Sequence, residues 1–151
     1  MIARDIEQAY RDQGDRLYYA VLAYTGDSDM AREAVAETFA RALASASSIR
    51  EIVPWLWRVA FRLAATDMKD RRRHMDPSET IQAEAPPEPH DLFEALAQLS
   101  ERQRASIVLY YYAGYTLDEI GEILGTRKGT IGVHLHRGRA RLRQLLEVDD
   151  G

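Results

Sequence analysis

The stretch Thr126–Arg143 holds six Lys/Arg and two His and no acid. Within and just beyond it, Ile131, Leu135, Gly138, Leu142 and Leu145 recur at spacings of four, three, four and three. On a helix these five fall in one narrow arc and face a core. Gly129, Gly132, Val133, His136 and Arg137 then lie on the opposite side, flanked by Lys128, His134, Arg139, Arg141 and Arg143. Cations on the flanks of such a helix suit phosphates, and the outer face between them suits base edges in a duplex groove.

A second constellation precedes it. Trp55, Trp57 and Phe61 alternate with Arg58 and Arg62, and Lys69-Asp70-Arg71-Arg72-Arg73 follows. Aromatic rings can stack on unpaired bases while arginines follow the backbone, which is the chemistry of a single-strand platform. Tryptophans this close together also serve as core, and the basic run also complements the negative end of a helix.

The elements that position these groups read as helical throughout, with no useful period-2 pattern. Ile6, Tyr10, Leu17, Val21 and Tyr24 predict a broken or paired first helical segment ending at Thr25–Gly26. Ala31, Val35, Phe39, Ala42 and Ala46 predict a second helix over Ser28–Ala44, capped by Asp27 or Ser28. Pro54 suits the first turn of a third, whose Leu56, Val59, Ala60, Leu63 and Ala64 make one stripe. Beyond residue 91 four helices are expected, over Leu92–Leu99, Ser100–Ala113, Thr116–Leu124 and Arg127–Leu146. Thr116-Leu-Asp-Glu119 is a capping box, and Gly125 suits the left-handed residue that closes a short helix. Helix, glycine turn and longer basic helix is the layout of a helix-turn-helix.

Charge separates the chain into parts. Residues 1–75 carry 12 Lys/Arg against 11 Asp/Glu, residues 76–91 five acids and no base, and residues 92–151 eight of each. The total of −4 therefore hides a local basic surface. The acidic, proline-containing stretch His74–His90 reads as a semi-extended linker, the alternative being a long loop within one domain. With 151 residues, 46% of them hydrophobic, the chain can form two small cores. Cysteine is absent, which removes disulfides and thiolate metal sites. No metal, cofactor or small-molecule substrate is expected, and no Gly-rich phosphate loop or nucleophile-base pair suggests an enzyme. The absence of an apolar run of membrane-spanning length predicts no membrane insertion and a cytoplasmic protein.

The two parts together resemble the extracytoplasmic-function sigma factors over nearly the whole chain. Ala31-Arg-Glu-Ala-Val-Ala-Glu-Thr-Phe39 looks like the family's region 2 helix that docks on the polymerase clamp, and Pro54-Trp-Leu-Trp-Arg-Val-Ala60 like the start of its promoter-melting helix. Ser45–Arg50 lies where the family has the loop that captures a flipped base of the −10 element. Leu96–Arg104, Gly114–Gly125 and Gly129–Leu142 look like region 4, which reads the −35 element.

The resemblance implies an all-α protein of two small helical domains, a region 2 bundle over 1–74 and a region 4 helix-turn-helix over 92–151, joined by an acidic flexible linker over 75–91. It implies −35 contacts from Arg127, Lys128, Thr130, Val133, His134, His136, Arg137 and Arg141. The −10 contacts would come from Ser48, Arg50, Trp57, Arg58, Phe61, Arg62, Lys69, Arg71 and Arg72. Core RNA polymerase would be met through Arg32, Glu33, Ala36, Glu37 and Arg41. The implied partners are the β′ clamp and β flap of the polymerase and promoter DNA, and the family also allows an anti-sigma protein. The sequence departs from the family pattern at Arg32, Glu33 and Ala36, at Phe61-Arg62, and at Gly132-Val133, where a polar or basic pair commonly stands; this implies poorer direct base readout. Two other readings use the same residues: a helix-turn-helix regulator whose N-terminal helices dimerise, and a sigma-derived interaction protein that does not start transcription.

Overall fold

Buried Ile6, Ala9, Leu17, Ala20, Val21 and Tyr24 recur at one-, three- and eight-residue intervals along α1 (Ala3–Thr25). The structure, a computed structural model, describes residues 3–74 and 90–149, and α1 is one unbroken helix rather than the broken or paired segment expected. The interruption in its apolar pattern has two causes, one within the helix and one from another helix. Gly14 is buried beneath the Tyr10 ring, and half-buried Gln13 accepts a hydrogen bond from Trp57 Nε1 at 3.4 Å.

Gly26, at φ 70°, closes α1. Asp27 then caps α2 (Ser28–Ala44) by accepting the Met30 N–H at 3.0 Å. After a short 3₁₀ turn at Ala46–Ser48, α3 runs over Ile52–His74. Pro54 is its third residue, where a missing N–H costs no intrahelical bond. The three helices pack pairwise around Leu17, Val21, Phe39, Leu56 and Phe61. They belong to the first of two compact units, Met1–Gln82, the second being Ala83–Gly151.

In the second unit α4 spans His90–Ala97 and α5 Glu101–Ile107. Ser100 and Gln103 form a second capping box, each side chain bonding the other's backbone N–H. The helix expected to continue to Ala113 instead widens into a π turn over Val108–Tyr112, with the Ala113 N–H reaching back to Val108 O at 3.1 Å. The wide turn keeps Val108 and Leu109 buried while Tyr110, Tyr111 and Tyr112 stay exposed. α6 (Leu117–Leu124) and α7 (Lys128–Asp149) follow. α7 packs against α4, α5 and α6, with Leu99, Leu109, Ile120, Ile131 and Leu135 at the centre.

Two arginines finish helix ends inside this unit. Arg104, buried, donates to Leu99 O at 3.1 Å and Ala97 O at 3.4 Å. Arg102 donates to Leu124 O at 2.9 Å. Both place a cation where terminal carbonyls concentrate negative potential. No helix among the described residues is long and apolar enough to cross a membrane. The linker expected over 75–91 lies outside the described residues except at His90 and Asp91, which open α4.

Candidate nucleic-acid interface

Four residues set the start of α6 and the turn that leads from it to α7. Thr116 and Glu119 form the expected capping box, with bonds of 3.2 and 2.9 Å. Gly125 adopts φ 71°, ψ 38°, a left-handed conformation that side chains disfavour. Gly121 lies so close to the turn that a Cβ there would stand 2.7 Å from Thr126 O, so this position admits no larger residue without moving the backbone.

Beyond the turn, the expected core stripe of α7 is in place. Ile131 and Leu135 are buried, and Leu142 and Leu145 half-buried. Gly138 is bare where a Cβ would come within 3.1 Å of Ile107 Cγ1. On the other side Val133, His136 and Arg137 are exposed, as are Arg127, Lys128, Thr130, Arg139, Arg141 and Arg143 around them. Arg139 Nη1 donates to Tyr111 Oη at 2.9 Å, so the π turn holds one flanking guanidinium in position.

His134 differs from its neighbours. It is half-buried, and burial first, then the charges of Arg102 and Arg137, hold its pKa below the usual 6.5. At neutral pH it is therefore an uncharged hydrogen-bonding group on this face, not a third kind of cation.

In the first unit, Ser48, Arg50 and Arg58 line an open cavity of about 490 Å³ together with Ile49, Glu51, Pro54 and Trp55. Ser48 Oγ donates to Ser45 O at 2.9 Å, which fixes the loop that forms one wall. Arg62, Lys69 and Arg72 are exposed farther along α3.

Three residues expected to meet single-stranded DNA make packing or pairing contacts within the first unit. Trp57 and Phe61 are 2% and 0% exposed; Phe61 stacks on Tyr24 at 5.2 Å and on Trp57 at 6.1 Å between ring centres. No ring face remains for a base, so both are core. The buried face of α3 is Leu56, Trp57, Ala60, Phe61, Ala64 and Met68, rotated from the expected stripe so that Val59 and Leu63 are only half-buried. Arg71 pairs at 2.5 Å with Asp27, joining the end of α3 to the cap of α2. The aromatic left at the cavity is Trp55. Its distinction from Trp57 was available from the four-, three- and four-residue spacing of Trp57, Phe61, Ala64 and Met68. Glu51 and Tyr111 carried no such signal.

Arg32, Glu33, Ala36, Glu37 and Arg41 are all exposed on α2. Arg41 pairs with Glu37 at 2.9 Å and Arg32 with Asp29 at 2.6 Å. Glu33 also lies near α3. Burial, then the charges of Glu33 and Asp70, push the Asp67 carboxyl above its usual range, with Arg71 opposing them.

The second unit is thus a helix-turn-helix whose basic helix leaves an exposed face opposite its core stripe, and the first is a three-helix bundle with a cavity beside arginines. Comparison with known proteins agrees with that architecture. The family model for sigma-70, region 4 matches residues 90–142. The chain is 31% identical to the ECF RNA polymerase sigma factor SigL of Mycobacterium tuberculosis, across 91% of this chain and 86% of that protein. It is 30% identical to the RNA polymerase sigma factor SigV of Bacillus subtilis, across 92% and 89%. Among solved structures it is similar to the sigma factor RpoE of Bartonella quintana, crystallised in complex with the anti-sigma factor NepR. That match has a TM-score of 0.84 and 26% identity, covering 97% of this chain and 99% of that one. The chain belongs to the ECF RNA polymerase sigma factors, which direct promoter-specific transcription initiation. These relatives match across both units, which a regulator sharing only the helix-turn-helix would not.

Proposed function

We propose that the second unit reads the −35 element through α7, while the first unit docks on the polymerase clamp and holds a base of the melted −10 strand. The observation that carries this reading is the α7 face, where Val133, His136 and Arg137 stand exposed opposite a buried stripe and cations border them. An arginine in that place can donate two bonds to guanine N7 and O6, and the flanking cations meet phosphates. In the first unit the cavity lined by Ser48, Arg50, Trp55 and Arg58 takes a single base, stacked on the indole with guanidiniums beside it. Arg62, Lys69 and Arg72 extend the path for the strand.

The domains act as residues 1–74 for clamp and −10 element and 92–151 for flap and −35 element. Glu33 of α2 with Asp67 and Asp70 of α3 forms an acidic cluster that a basic surface of the clamp would neutralise. An anti-sigma protein is a further partner, as for the similar RpoE with NepR. The protein works in the cytoplasm, where polymerase and promoter are.

Run-off transcription with core polymerase over a promoter library tests the reading. Arg58→Ala should reduce open-complex formation more than duplex binding, and promoter DNA with a pre-melted −10 segment should rescue it. Transcription that is promoter-independent, or equal loss on pre-melted DNA, would count against it.

A further inference from the structure

α7 carries an apolar side chain where a DNA-reading helix needs polar ones. Val133 is 47% exposed, on the side away from buried Ile131 and Leu135. It makes no part of the core, and an exposed valine contributes less to helix propensity than alanine would. Gly132 beside it is unexplained by the fold as well. A Cβ built there meets nothing within 4 Å, and its backbone is not in the left-handed region, so neither packing nor conformation asks for glycine. A mid-helix glycine lowers stability without such a reason.

Among the groups that base edges present in the major groove, the thymine C5-methyl is the protruding apolar one. An exposed branched side chain on the outer face of the helix is matched to it, and a bare Cα next to it lets the helix sit deeper in the groove. Val133 lies four residues before Arg137, hence one turn from it on the same face. We infer that Val133 reads a thymine methyl in the −35 element, within two base pairs of a guanine contacted by Arg137, and that Gly132 permits the close approach this needs. The inference rests on α7 being the −35 reader. It replaces poor base readout at Gly132-Val133 with a different readout.

The test uses full-length protein with core polymerase and duplex promoters in which each −35 thymine is replaced in turn by deoxyuridine, which removes only the methyl. One position should weaken promoter binding about fourfold, the effect of withdrawing one buried methyl-sized contact. With Val133→Ala that position should become indifferent to the replacement, while substitution of the guanine still costs affinity. Gly132→Ala should raise thermal stability yet weaken promoter binding, a split that a purely structural glycine would not give. Sensitivity to guanine without sensitivity to any methyl would overturn the inference and leave the −35 reading standing. A methyl effect that persists in Val133→Ala would also overturn it. Indifference to every −35 substitution would sink the reading helix itself, and this inference with it.

Discussion

Asp27 shows how one residue serves two elements. Burial opposes its ionisation, but the Met30 N–H, the Arg71 guanidinium and the Asp29 N–H outweigh it and hold the carboxyl below the usual 3.8. A carboxylate whose pKa is lower folded than unfolded stabilises the fold above the unfolded value, and that contribution fades as pH falls through the folded one. Asp27→Asn keeps a good cap but loses the ion pair; Asp27→Ala loses both, the cap alone being worth about 1 kcal/mol. Urea midpoints should therefore rank wild type, Asn and Ala in falling order at pH 7. The gap between wild type and Asn should narrow progressively as pH falls below about 3.8; a gap constant with pH would show that the Arg71 pair contributes nothing. The sequence offered Asp27 as a cap because the cap is local. It did not reveal that Arg71 pairs with Asp27, because that pair joins residues 44 apart and a basic run carries no sign of its partners.

At the scale of elements, what could be read in advance was what depends on local chemistry. The Thr116–Glu119 box, Gly125 and the Ile131–Leu145 stripe each need a particular residue type at a fixed spacing. The continuity of α1 and the π turn were not legible, since the first depends on Gln13 meeting Trp57 from another helix and the second on how three tyrosines share the surface. α3 was read one step out of rotation because two aromatics beside arginines fit a stacking platform as well as a core. For α7 the angular layout separates two kinds of cation. Arg137, exposed opposite the core, should set sequence preference, and Arg141, on the flank, should not. Arg137→Ala is expected to lose about 1–3 kcal/mol of discrimination at one or two −35 positions. Arg141→Ala should weaken binding to all promoters alike and flatten the salt dependence by about one unit. Uniform losses from both would make α7 a phosphate anchor.

At the scale of the whole molecule, a chain with a net charge of −4 divides into two compact units, each with its own core, and the proposed clamp face and −35 face fall on different ones. The α2 face around Glu33 and the basic α7 face lie in different compact units, so substitutions on them should act independently. Glu33→Lys should weaken binding to core polymerase without lowering the unfolding midpoint, since Glu33 is exposed and a charge reversal there relieves its crowding of Asp67. Arg137→Ala should leave core binding intact and weaken promoter binding by the assembled enzyme. In the double variant, the free energies of promoter occupancy should add within about 0.5 kcal/mol. The measurement is a double-mutant cycle on promoter binding, with core affinity determined separately for each variant. A coupling well above that margin would mean that docking on the polymerase changes how α7 meets DNA, so that promoter recognition belongs to the assembly rather than to the helix alone.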